Sequence, residues 1–269
     1  MSSHILRLVE VMARLRNPDG GCPWDLEQTF QTIAPHTIEE TYELVEAIES
    51  NDPKAIKDEL GDVLFQVVFY AQMGREAGLF DLESVAGHVA DKMIERHPHV
   101  FAEREVETAH DVLVNWETDK EAKRTKAAAK EGRMPSVLDG VSSGLPSTTR
   151  SVKLQKRAAR VGFDWAKADD VFAKIKEEIA ELEKEVAGDT PKGRMEDELG
   201  DVLFAVTNLA RKLDIDPETA LRSTNRKFER RFRMIEDALA EQGRKASDAS
   251  LQEMEILWNE AKAAENGEG

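Results

Sequence analysis

Apolar residues recur at three- and four-residue steps along most of this chain. Over 171–186, Ile175, Ile179, Leu182 and Val186 form one stripe; over 195–209, Leu199, Val202, Leu203, Val206 and Leu209 form another. That period lines up side chains on one face of an α-helix. It predicts helices over both segments and over 217–241 and 251–265, mirrored in the first half over 4–16 and 82–97. Asp169 or Asp170 stands where it could cap the first acid-bearing helix, and GDTPKG at 188–193 separates it from the next, with Pro191 and two glycines as stop signals. No useful length shows the alternating period of a strand. The expected fold class is therefore all-α, built as helical bundles.

The pattern is written twice. DELGDVLF stands at 58–65 and again at 197–204, while IEETYEL at 38–44 is echoed by KEEIAEL at 176–182. Order is kept and spacing nearly kept, over a period too long for a solenoid unit, so a whole domain has been duplicated. Between the copies, a charged, alanine-rich stretch gives way to Pro, Gly and Ser. This predicts a first domain at 1–119, a linker at 120–145 and a second domain at 146–269.

Composition narrows the function. The net charge of −16 argues against gripping nucleic acid through its phosphates, which needs a basic face. A single cysteine, Cys22, rules out an intrachain disulfide. No apolar run approaches membrane-spanning length and the first residues lack a signal-peptide core, so a cytoplasmic protein without membrane association is expected.

The acids are the candidate chemistry. Glu178 and Glu181 are three apart, Glu198 and Asp201 likewise, and each pair borders an apolar stripe. If the stripes pack together, four carboxylates converge at the edge of the seam. Like charges at such range push one another toward protonation, and a divalent cation removes the conflict. Oxygen-only ligands favour Mg²⁺, Mn²⁺ or Ca²⁺; neither acid motif contains the His that the Glu-x-x-His of di-iron bundles requires. Acids at helical spacing usually form a solvated face, but the duplication of both pairs favours a site. Gly61 and Gly200 interrupt good helices at a cost of about 1 kcal/mol each against Ala, which implies close packing or room for a ligand.

Glu-Glu-x-x-Glu followed by Glu-x-x-Asp, twice in one helical chain, resembles the MazG family of nucleoside triphosphate pyrophosphohydrolases. CPWD at 22–25, RHPHVF at 96–101, RVGFDW at 160–165 and NRKFERRF at 225–232 add to the likeness. The resemblance implies tandem MazG-like helical bundles and a Mg²⁺-dependent hydrolase, with Mn²⁺ a possible substitute, that converts a nucleoside triphosphate such as ATP and water to monophosphate and pyrophosphate. It puts metal ligands at Glu178, Glu181, Glu198 and Asp201, and in the first copy at Glu40, Glu43, Glu59 and Asp62. Glu177, with counterpart Glu39, becomes the group that orients or deprotonates the attacking water. Triphosphate contacts fall on Lys174, Arg194, Asn225, Lys227, Arg230 and Arg231, with Trp258 near the base. A homodimer is the expected form, because a half of this size with few helices rarely encloses a nucleotide. Alternatives are a relative confined to dUTP, dCTP or phosphoribosyl-ATP, or a non-catalytic helical scaffold. Met93 and Asp91 occupy the first-copy positions of Lys227 and Asn225, so the main activity is expected in the second half.

Overall fold

A computed structural model describes residues 3–101, 108–188 and 190–267. Among them every regular element is helical. The first half holds α1 (Ser3–Leu15), α2 (Pro23–Glu27), α3 (Phe30–Glu49), α4 (Pro53–Glu76), α5 (Leu82–Arg96) and α6 (Pro98–Phe101). Then come α7 (Ala109–Lys130), α8 (Ser147–Ala159), α9 (Ala168–Ala187), α10 (Lys192–Lys212), α11 (Pro217–Ala240) and α12 (Leu251–Gly267). The chain divides into compact units at 1–118 and 119–269. The segment 120–145 is helical as far as Lys130 and irregular beyond it.

Local chemistry places the helix ends. Thr29 accepts from the Thr32 amide at 3.2 Å while the Thr32 hydroxyl accepts from the Thr29 amide at 2.8 Å, a reciprocal cap for α3. Asp52 accepts from the Lys54 amide at 2.9 Å and Pro53 opens α4, where its missing N–H costs nothing. Asn51, at φ +54°, makes the sharp reversal between these two long helices, a conformation that Asn tolerates better than most residues. Asp216 and Pro217 open α11 in the same manner, with a 2.8 Å bond to the Thr219 amide.

In the first unit α3 and α4 pack along their lengths, with α1 and α5 against α4. Met12, Ile33, Val68, Phe69 and Met73 are buried together, flanked by Leu8, Phe30, Phe65 and Tyr70. Phe30 stacks on Tyr70 with centroids 5.9 Å apart, and the Tyr70 hydroxyl meets Thr37 at 2.8 Å. Glycine is required at position 74, where a Cβ would sit 2.5 Å from the Phe80 ring.

In the second unit α9 lies along α10, α8 covers another side of α10, and α11 packs on α12 and α8. Val171, Ile235, Leu239 and Ala261 are buried. Two expectations need correction. The α9 cap is at Lys167, whose backbone N–H donates to Asp170 at 3.1 Å; Asp170 serves from inside the first turn and Asp169 does not cap. The apolar stripes are only partly covered as well: Leu199, Leu203 and Val206 on α10, and Ile179 and Val186 on α9, remain exposed. The apolar arc of α10 is wider than its neighbours in this unit cover, and its most buried positions are Ala205, Thr207 and Asn208.

Candidate functional site

The seam between α9 and α10 gathers the acids. Glu178, Glu198 and Asp201 each bring a carboxylate oxygen within 4.8 Å of the others. Glu178 is only 6% exposed, Glu198 is half-buried and Asp201 faces solvent. Glu181, three residues on from Glu178, lies beside this trio. Burial first, then the neighbouring Glu178 carboxyl and repulsion from Glu198, hold the Glu181 carboxyl above its ordinary range.

Lys174 is drawn to the same place. Its ammonium lies 2.8 Å from Glu178 Oε1 and 2.9 Å from Glu177 Oε1, four and three residues ahead on the same helix. Those bonds, Glu178 first, hold the lysine well above its usual range. A residue expected to meet phosphate therefore bonds the acids in the free protein.

The first unit repeats the arrangement between α3 and α4. Glu40, Glu43 and Glu59 bring carboxylate oxygens within 4.8 Å of one another. The Glu40 carboxyl is pushed up by burial first, then by Asp62, Glu43 and Glu59; Glu59 is pushed up by burial, then Glu43, Asp62 and Asp58. Asp62 thus acts on the group from just outside the trio. No lysine serves here: aligning Glu40 with Glu178 puts His36 at the Lys174 position, and His36 lies 3.6 Å from Glu39.

Donor chemistry and spacing in both clusters fit a hard divalent cation. All donors are carboxylate oxygens, held together against their own repulsion. Opposite ligands of one Mg²⁺ stand roughly 4.2 Å apart, given metal–oxygen bonds of about 2.1 Å, so a separation within 4.8 Å closes with small side-chain rotations. The glycines gain a meaning too. A Cβ on Gly61 or Gly200 would meet nothing within 4 Å, so close packing inside either unit does not explain them.

Three of the remaining cations are engaged elsewhere. Arg194 pairs with Glu185 at 2.8 Å. On α11, Arg230 and Arg231 both bind Glu265 of α12, at 2.6 and 2.7 Å, and the Arg231 guanidinium lies 5.4 Å from the Trp258 ring centroid. Trp258 also packs against Phe228 at 5.3 Å. Asn225 and Lys227 are exposed on the same helix. The anchoring role of Glu265 was not foreseen; it lies more than thirty residues from its partners, and nothing in a helical pattern marks it. Asp164 of the RVGFDW stretch was likewise missed as an anchor, taking ion pairs from Arg211 and from Lys212, the latter at 2.7 Å.

Two helical units, each with a carboxylate cluster between two helices packed along their lengths, define a duplicated all-α protein with acidic helix-pair sites. The MazG nucleotide pyrophosphohydrolase domain matches twice, at residues 28–101 and 167–234, and the chain belongs to that family. It is 46% identical over 264 residues to the nucleoside triphosphate pyrophosphohydrolase of Escherichia coli K12, covering 98% of each chain. It is 38% identical over 258 residues to the nucleoside triphosphate pyrophosphohydrolase/pyrophosphatase MazG of Thermotoga maritima, covering 96% of this chain and 95% of that one. A Bacillus subtilis protein, YabN, is 44% identical over 255 residues, with 95% of this chain matching 51% of it. No helix among the described residues is long and apolar enough to cross a membrane.

Proposed function

We propose that the protein is a hydrolase that cleaves nucleoside triphosphates to the monophosphate and pyrophosphate, with a divalent cation, Mg²⁺ or Mn²⁺, held by Glu178, Glu181, Glu198 and Asp201. The observation that carries this reading is the convergence of Glu198 and Asp201 on the buried Glu178; the names of the relatives agree with it. A cation bound there would polarise the phosphoryl oxygens and offset the charge of the pyrophosphate leaving group.

The chain's own groups divide the rest of the work. Glu177, exposed at the rim beside Glu178, takes the proton of a water molecule as its oxygen attacks the α-phosphorus. The bond from that phosphorus to the bridging oxygen breaks, and its electron pair leaves with pyrophosphate. Lys174 keeps Glu177 and Glu178 in register. Lys227, Arg230 and Arg231 on α11 supply positive charge for the triphosphate, with Trp258 beside Arg231 offering a flat apolar face to the base. Arg194 and Asn225 are lesser contacts.

The second half carries the main activity in this reading, because the first lacks counterparts of Lys174 and Lys227. A homodimer is supported by exposed apolar residues at repeated positions: Leu60, Leu64 and Val67 in the first unit, Leu199, Leu203 and Val206 in the second. The test is a nucleotide panel with Mg²⁺, with products resolved by chromatography. Monophosphate plus pyrophosphate supports the proposal; orthophosphate as the first product, or no turnover of any nucleotide, overturns it.

A further inference from the structure

Arg230 and Arg231 are consecutive on α11, and consecutive positions on a helix point about 100° apart. Left to the helix, their guanidiniums diverge. Here they meet on one carboxylate. Glu265 of α12 accepts from Arg230 on Oε1, with Nε at 2.7 Å and Nη2 at 2.6 Å, and from Arg231 on Oε2, with Nε at 2.8 Å and Nη2 at 2.7 Å. Both arginines are gripped along the same edge, so the Nη1 amine of each lies outside the pair. Those bonds, Arg231 first and then Arg230, hold the Glu265 carboxyl below its ordinary range, and it stays ionised at neutral pH.

The two arginines are not equivalent. The Arg231 side chain is 12% exposed and lies over the Trp258 ring, whereas that of Arg230 is 58% exposed. Glu265 ties the sunken guanidinium to the outer one. Helix α12 already packs on α11 through Trp258 and Phe228, so its place does not depend on this carboxylate alone. The first copy lacks the arrangement in sequence. Aligned on Trp116 and Trp258, it has Lys123 where the second copy has Glu265, and His97 stands at the Arg231 position. The carboxylate and the inner arginine it holds are replaced together.

We propose that Glu265 is a positioning residue, which converges Arg230 and Arg231 into one fork that offers both Nη1 amines to the phosphates of a nucleoside triphosphate. The inference rests on reading those arginines as triphosphate contacts. A fork arranged beforehand need not be ordered by the ligand, which lowers the cost of binding. The charge of the carboxylate acts the other way, weakening the attraction for phosphate. The two effects therefore predict opposite signs when Glu265 is changed.

The experiment is steady-state pyrophosphate release by the full chain with Mg²⁺, using the nucleotide of the panel that the parent cleaves fastest. Glu265→Gln should raise KM about tenfold, the cost of ordering two long side chains on binding, and change kcat by less than about threefold. Glu265→Asp keeps the charge but draws it back by one methylene, and should raise KM as well. With Arg230→Gln and Arg231→Gln already in place, adding Glu265→Gln should leave KM unchanged, because the carboxylate acts through the arginines. A carboxylate that only pinned α12 would lower the melting temperature and leave KM alone. If Glu265→Gln lowers KM or leaves it unchanged, or if its effect persists without the arginines, the role of Glu265 is refuted while the arginine contacts stand. If removing both arginines leaves KM unchanged, or the parent cleaves no nucleotide, the reading of the triphosphate contacts fails and takes this inference with it. Should Glu265→Gln not fold, as judged by circular dichroism, the Glu265→Asp result decides.

Discussion

Gly200→Ala offers a test in which stability and activity should move in opposite directions. Gly200 sits in mid-helix between Glu198 and Asp201, and a Cβ added there meets nothing within 4 Å. The methyl should therefore bring only the helix-propensity gain, about 1 kcal/mol. For a unit of this size that raises the melting temperature by about 2–4 °C. If the open space exists because a substrate or a second copy of the chain must enter it, the same methyl should lower kcat/KM at least tenfold. Thermal denaturation of the metal-free protein reads the first effect, and pyrophosphate release with Mg²⁺ reads the second. Analytical ultracentrifugation separates the causes: unchanged mass points to the ligand, reduced mass to a partner chain. A variant that melts higher yet matches the parent in both turnover and mass would refute the reasoning, leaving Gly200 without a functional explanation.

Other expectations concern the acids and the core. Glu178→Gln and Asp201→Asn should each remove most pyrophosphate release without loss of helical circular dichroism, whereas Glu40→Gln and Asp62→Asn should cost far less; the reverse order would show that the wrong half was chosen. Raised carboxyls at Glu40, Glu59 and Glu181 set the sign of a pH effect. A folded-state value above the ordinary 4.5 gives stability that is complete below 4.5 and lost as pH rises through the raised value. Mg²⁺ should consequently raise the melting temperature more at pH 8 than at pH 5, and equal gains at both would contradict cation binding at these groups. Leu239→Ala, at a fully buried position on α11, should destabilise the second unit by about 2–5 kcal/mol in urea denaturation; a cost under about 1 kcal/mol would mean that α11 is not packed as described.

What the sequence disclosed and what it hid divide along the range of the interactions. Helices and the meeting of acids across two seams were legible because both follow from spacings of three and four, and duplication printed each spacing twice. The buried face of α10 was not. Its apolar arc is too broad for the pattern to choose between Leu199 and Leu203, now exposed, and the narrower strip at Ala205, Thr207 and Asn208 that packing selects. Cation partners were hidden for the same reason. Arg230 and Arg231 read as free charges until folding places Glu265 against them, and Lys174 could equally have faced phosphate or acid. Such choices are made by tertiary contacts that a local period does not encode. Comparing the copies recovers some of this information. Where the repeat is kept, at Glu40 and Glu178 or Glu59 and Glu198, it marks acids that both units bring together. Where it breaks, with His36 for Lys174 and Gln66 for Ala205, the breaks cluster around the acids. Each changes how negative charge is compensated: a tethered ammonium in one copy, a neutral amide in the other. A tethered lysine must give up a carboxylate as a cation arrives, whereas a neutral amide need not.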